Sequence, residues 1–78
     1  MSVRERMEEA MNQTAGAPEG GWKDSTLFKD LGMDSLDATE MIMEIEEEFN
    51  ISISEDEVEG LLIAGNVADL ERLVEEKL

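Results

Sequence analysis

A serine between two carboxylates is the residue of this sequence best suited to carry chemistry. Ser35 lies in the run Leu31-Gly32-Met33-Asp34-Ser35-Leu36-Asp37, where a glycine allows a sharp turn just before a strongly helical segment. We therefore predict an exposed hydroxyl in the first turn of a helix. Free backbone N–H groups and the helix dipole favour negative charge there, so a phosphodiester on Ser35 Oγ is compatible with this position, although Asp34 and Asp37 oppose it.

The residue types that are missing limit what Ser35 can do. The chain has no cysteine and no histidine, so it lacks a thiol nucleophile and the commonest general base. A Ser-His-Asp triad is therefore impossible, and no Gly-x-Ser-x-Gly elbow surrounds the serine. We reject a serine hydrolase and interpret Ser35 as an acceptor that another enzyme must activate.

The charge of the chain restricts its partners. Its 78 residues contain 21 Asp and Glu against 6 Lys and Arg, which gives a formal net charge of -15. Such a surface repels phosphate backbones and anionic membranes, so we expect neither nucleic acid nor membrane as a partner. Proteins with basic surfaces are the expected partners. No apolar run has the length of a membrane span, and residues 1–12 are too charged for a signal peptide, so we predict a cytoplasmic or organellar protein. We also predict a monomer.

Apolar residues recur at helical spacing in most of the chain, which predicts an all-α fold. We predict helices over residues 3–13, 35–49, about 55–62 and 67–78, with a short helical turn at 25–29. The segment at 35–49 is the clearest, with Ala38, Ile42, Ile45 and Phe49 forming one apolar stripe. The simplest arrangement is a small four-helix bundle with three longer helices, one short third helix and a long first loop, forming one domain over residues 1–78.

Helix caps mark the predicted boundaries. Asp34 precedes the second helix and has Asp37 at the spacing of a capping box, while Asn50 fits the C-terminal end. Ser54 and Asn66 stand where the third and fourth helices should begin, each followed by acidic residues in the first turn. The caps and the stripes therefore indicate the same set of helices.

A family resemblance rests on the residues around Ser35. Asp34-Ser35-Leu36, followed by Glu40 and by Glu46-Glu47-Glu48-Phe49, resembles the signature of acyl carrier proteins. The similarity covers about residues 27–78. It implies that Ser35, with Asp34 and Leu36 beside it, is the attachment site for covalent 4'-phosphopantetheine, delivered by a phosphopantetheinyl transferase. The thiol of this arm would then carry acyl groups as thioesters, while catalysis belongs to the partner enzymes.

The same resemblance implies that the second helix is the recognition helix. A helical wheel places Leu36 and Met43 on a face away from the apolar stripe, among polar and acidic residues. Exposed apolar side chains ringed by carboxylates would let a basic acyl-processing enzyme approach and then bury a small apolar centre. The predicted docking residues are Leu36, Asp37, Thr39, Glu40, Met43 and Glu47.

Several alternatives remain open at this point. An unmodified acidic protein-binding module fits the charge and the short helices. A peptidyl carrier is the nearest related class, although acyl carriers more often show this Asp-Ser-Leu form and this acidity. The resemblance does not distinguish fatty acid synthesis from polyketide or other thioester pathways. A calcium loop starting at Glu55 fails, because its first place lacks Asp and its twelfth place holds Asn66 instead of Glu. We therefore predict no metal site.

Overall fold

The structure is a computed structural model that describes residues 2–78. Within this range the chain forms four α-helices, which confirms the predicted all-α fold. The helices are α1 (Val3–Thr14), α2 (Ser35–Phe49), α3 (Glu55–Ala64) and α4 (Val67–Lys77), and one 3-10 turn spans Phe28–Leu31. In the described part of the chain, no helix has the length and apolar character needed to cross a membrane.

Capping side chains define where the helices begin. Ser54 and Asn66 form reciprocal capping boxes with Glu57 and Asp69, as their spacing predicts. Asp34 caps α2 by accepting the backbone N–H of Asp37 at 2.8 Å. These bonds satisfy N–H groups that have no partner within the helix, so each boundary is fixed by local sequence.

The core lies between α1, α2 and α4, with contributions from the first loop and from α3. The predicted stripe of α2 is buried, and methionines from α1 and α2 fill the centre. Every buried side-chain nitrogen or oxygen in the described residues has a hydrogen-bond partner. The largest fully buried side chains are Phe28, Met7, Met11, Met41, Ile45, Leu70, Val67 and Val74.

The helical turn in the first loop lies further along the chain than predicted. We predicted it at 25–29, but it spans Phe28–Leu31, because a separate turn at 24–25 and the extended Leu27 precede it. Leu27 pairs with Asn66 in an isolated antiparallel bridge. The Phe28 N–H donates to the Gly65 carbonyl at 3.2 Å, and the Val67 N–H donates to the Thr26 carbonyl at 3.1 Å. This long-range pairing delays the helical turn until residue 28.

The third helix is longer than predicted. We expected it to run through about residue 62, but α3 continues to Ala64 and is nearly as long as α4. It ends where Gly65 becomes extended, with its N–H still donating to the Leu61 carbonyl at 2.8 Å. A Cβ at Gly65 would lie 2.7 Å from the Leu61 Cα, so this close approach requires glycine.

Polar contacts anchor the long first loop to the helices. The Trp22 indole N–H donates to Asn12 Oδ1 at 2.7 Å, which fastens the loop to α1. Arg4 bridges Asp24 in the loop and Glu71 in α4, with N–O distances of 2.6 and 2.8 Å. The loop therefore reaches the 3-10 turn along a defined path, despite its glycines.

Candidate functional site

Ser35 is the first residue of α2, and its side chain is exposed. Gly32 reverses the chain before it with φ of 70°, a left-handed conformation that glycine adopts without strain. Asp34 then adopts an extended conformation and caps the helix. The turn and the cap together hold the Ser35 hydroxyl at the N-terminal end of the helix, in contact with solvent.

The hydroxyl of Ser35 has no partner in the described part of the chain, where none of the side-chain hydrogen bonds uses its Oγ. Its backbone carbonyl accepts the Thr39 hydroxyl at 2.8 Å, while the neighbouring Asp34 carboxylate is occupied as the helix cap. No side chain of the described residues accepts a hydrogen bond from this hydroxyl. The site presents an acceptor whose activation has to come from outside the chain.

A small cavity of about 220 Å³ opens beside Ser35, and we call it the serine cavity. It lies where the 3-10 turn, the start of α2 and the end of α3 meet. Its lining combines an apolar surface with one cationic residue and one acidic residue. Besides Ser35, the lining residues are Phe28, Lys29, Met33, Asp34, Ala38 and Leu62.

A larger groove of about 520 Å³ runs between α2 and α3. Leu62 lines both the groove and the serine cavity, so the two spaces adjoin. The α2–α3 groove is mostly apolar, with carboxylates at its rim. Its lining residues are Thr39, Ile42, Met43, Glu46, Ile53, Glu55, Val58, Glu59, Leu62 and Ile63.

The residues predicted to form a docking surface are all exposed and lie on α2. Leu36 is 66% exposed and Met43 is 52% exposed. The acidic members are Asp37, Glu40 and Glu47. Thr39 and Met43 also line the α2–α3 groove, so the surface continues into it.

Sequence reasoning missed Ile63, which is 64% exposed on α3 beside the groove. It lies in the run Leu61-Leu62-Ile63-Ala64, where four consecutive apolar residues give no sign of which one faces the core. Leu61 is buried and Leu62 lines both the groove and the serine cavity, whereas Ile63 lines the groove with most of its side chain in solvent. The exposed apolar surface therefore extends across both walls of the groove.

Most of the chain is similar to known proteins. The family model described as "Phosphopantetheine attachment site" matches residues 3–74, from the first residue of α1 into α4. The chain is 46% identical over 57 residues to the acyl carrier proteins of Chlamydia trachomatis serovars L2, D and A. Each alignment covers 73% of this chain and 74% of the relative.

Proposed function

Because the chain belongs to the acyl carrier protein family, which has a phosphopantetheine attachment site, we propose that Ser35 bears the 4'-phosphopantetheine arm. The protein is a carrier of acyl intermediates, held as thioesters on this covalent arm. The same relatives do not favour a peptidyl carrier or an unmodified acidic binding module. A carrier of this family is not itself catalytic, so the reactions of the acyl group belong to other proteins.

The observation that supports Ser35 is its exposed hydroxyl without a partner at the first residue of α2. Attachment forms a bond between Ser35 Oγ and the pantetheine-side phosphorus of coenzyme A and breaks the pyrophosphate bond. Adenosine 3',5'-bisphosphate leaves, and the hydroxyl proton is released to the base. Asp34 and Gly32 keep the hydroxyl accessible, while the transferase supplies the base. Once attached, the arm provides the thiol that this cysteine-free chain lacks. Loading followed by intact-mass measurement tests the assignment directly.

Docking of the transferase and the acyl-processing enzymes on α2 is the second part of the proposal. The exposed Leu36 and Met43 offer an apolar centre, and neighbouring carboxylates surround it. The net charge of -15 would accelerate encounters with basic surfaces, whereas burial of the apolar pair would slow dissociation. We therefore predict that partner enzymes dock on α2. We also predict that the carrier is a monomer.

Reversing one charge on this surface should slow the transferase. We expect Glu40→Lys to lower kcat/KM for loading by about tenfold at low salt, because the new cation opposes a basic partner during encounter. The matched control is Glu76→Lys, which makes the same charge change at an exposed position of α4. The difference between the variants should shrink in high salt. Equal rates for both at low salt would contradict docking on α2.

The α2–α3 groove is the place where we propose that a bound acyl chain lies. Its apolar walls and its volume of about 520 Å³ suit an alkyl chain, and it adjoins the serine cavity through Leu62. Withdrawing a thioester-linked chain into this groove would remove it from water while the carrier travels between enzymes. The exposed Met43 and Ile63 stand on its two walls.

A medium-length acyl chain should therefore stabilise the fold. Burial of each CH2 group contributes about 0.8 kcal/mol, so burial of only a few should raise Tm by roughly 10 °C over the arm-loaded, unacylated protein. Val58→Trp places a large ring in the groove and should abolish this increase. The unacylated form of each variant serves as its own reference in thermal melts. An acyl-dependent increase that survives in Val58→Trp would exclude the groove as the binding place.

A further inference from the structure

Two of the basic residues stand apart from the rest. Each of the other four forms an ion pair with a carboxylate of the bundle: Arg4, Arg6, Arg72 and Lys77. Within the described residues, Lys23 and Lys29 take part in no ion pair, although carboxylates greatly outnumber bases in this chain. Lys29 extends from the 3-10 turn and lines the serine cavity, whereas Lys23 lies in the first loop and lines none of these spaces.

Docking of basic partner enzymes does not explain why Lys29 lines the serine cavity. Partners that approach through acidic surfaces carry positive charge and would be repelled by Lys29. Asp34, the acidic residue that lines the cavity, uses its Oδ1 to cap α2. The lysine therefore adds positive charge beside Ser35 without completing an ion pair of the fold.

We propose that Lys29 holds the phosphodiester at the root of the arm and directs the arm across the serine cavity towards the α2–α3 groove. This inference rests on attachment at Ser35. The phosphodiester carries one negative charge, and Asp34 and Asp37 lie on either side of the attachment point in sequence and oppose it. A lysine ammonium on a flexible stem can follow such a group and offset the repulsion.

The rest of the serine cavity suits the next part of the arm. Beyond the phosphate and one CH2 group, pantetheine continues with a carbon that bears two methyl groups, a compact apolar segment. Phe28, Met33 and Leu62 provide apolar surface beside Lys29. The lysine can therefore contact the phosphodiester, and the apolar side chains can contact the methyl groups that follow it in the arm. Since Leu62 also lines the α2–α3 groove, an arm held here points its distal end towards the proposed acyl site.

The experiment compares arm-loaded wild-type protein with arm-loaded Lys29→Gln, Lys29→Glu, Lys29→Arg and Lys23→Gln. Intact mass first verifies one arm on each protein, and circular dichroism verifies the fold. The 31P resonance of the phosphodiester then reports its surroundings, and nuclear Overhauser effects report proximity between the arm methyl groups and Leu62. Lys23→Gln removes the same charge at an exposed position away from the cavity, which makes it the matched control.

We expect the 31P resonance to shift in Lys29→Gln, to shift further in Lys29→Glu and to stay near the wild-type position in Lys29→Arg and Lys23→Gln. The Overhauser effects to Leu62 should be lost in Lys29→Glu. Identical 31P resonances in wild type and Lys29→Gln, with the arm on Ser35, would overturn the role of Lys29 alone. Absence of any arm on Ser35 would overturn both this role and the attachment site.

Discussion

Ser35→Ala will accept no phosphopantetheine: incubation with coenzyme A and a competent transferase should leave its intact mass unchanged. The substitution removes the only oxygen to which we assign the new phosphorus bond, and neighbouring side chains cannot replace it. The loss should be complete rather than graded, because a covalent attachment requires its acceptor atom. Time-resolved intact-mass measurement, beside wild-type protein loaded in parallel, gives the comparison.

The control for this prediction is Ser52→Ala. Ser52 is exposed in the extended segment between α2 and α3 and lies outside the caps, so its loss should leave loading unchanged. Because Ser35 Oγ makes no hydrogen bond in the described chain, Ser35→Ala should also keep the wild-type stability within about 0.5 kcal/mol. A mass gain of one phosphopantetheinyl group on folded Ser35→Ala would disprove the assignment.

Phe28→Ala should destabilise the fold far more than substitutions at the exposed positions of α2. Phe28 is only 2% exposed, and it fixes the 3-10 turn against the rest of the core. Truncating a buried phenylalanine costs about 3–5 kcal/mol, a large part of the total stability of a domain of this size. We expect Tm to fall by roughly 15–30 °C, as measured by circular dichroism.

Two further variants interpret that result. Phe28→Leu keeps much of the apolar volume and should cost less than Phe28→Ala, because the remaining cavity is smaller. Leu36→Ala removes a large apolar side chain that is 66% exposed and should change the stability by no more than about 0.5 kcal/mol. Equal losses in Phe28→Ala and Leu36→Ala would show that burial of the 3-10 turn does not govern stability.

The helix that carries Ser35 was predictable residue by residue because its signals are local. The apolar stripe from Ala38 to Phe49 fixes the buried face, and Asp34 and Asn50 mark the two ends. The structure gives α2 the predicted bounds, Ser35–Phe49, with Asn50 in the left-handed conformation typical of a C-terminal cap. The exposure of Leu36 followed from the same periodicity.

The path of the first loop could not be predicted from the sequence. The position of the 3-10 turn depends on backbone bonds between Thr26 or Phe28 and the link at Gly65 to Val67, which lie far apart in the chain. Backbone groups carry no side-chain signature, so no residue pattern indicated this pairing. Similarly, no short-range sequence pattern predicted that Arg4 would form ion pairs with both Asp24 and Glu71, because these residues are far apart in the chain.

The surroundings of Ser35 could be predicted only in part. Its position before α2 followed from Gly32, Asp34 and the helical pattern, but the serine cavity is built from segments that are distant in sequence. No residue pattern therefore indicated that Lys29 would lie beside the cavity. Leu62 joins the cavity to the groove only because α3 packs near the 3-10 turn.

Peptide mapping of the acylated wild-type protein tests the carrier function and its site together. The protein is loaded by a transferase from an acyl-coenzyme A and cut with a glutamate-specific protease, which releases residues 20–40 between Glu19 and Glu40. Tandem mass spectra should place the acylated arm on Ser35, and neutral hydroxylamine should remove the acyl group while the arm remains. An arm on any other residue, or an acyl group that resists hydroxylamine, would contradict a thioester carried at Ser35.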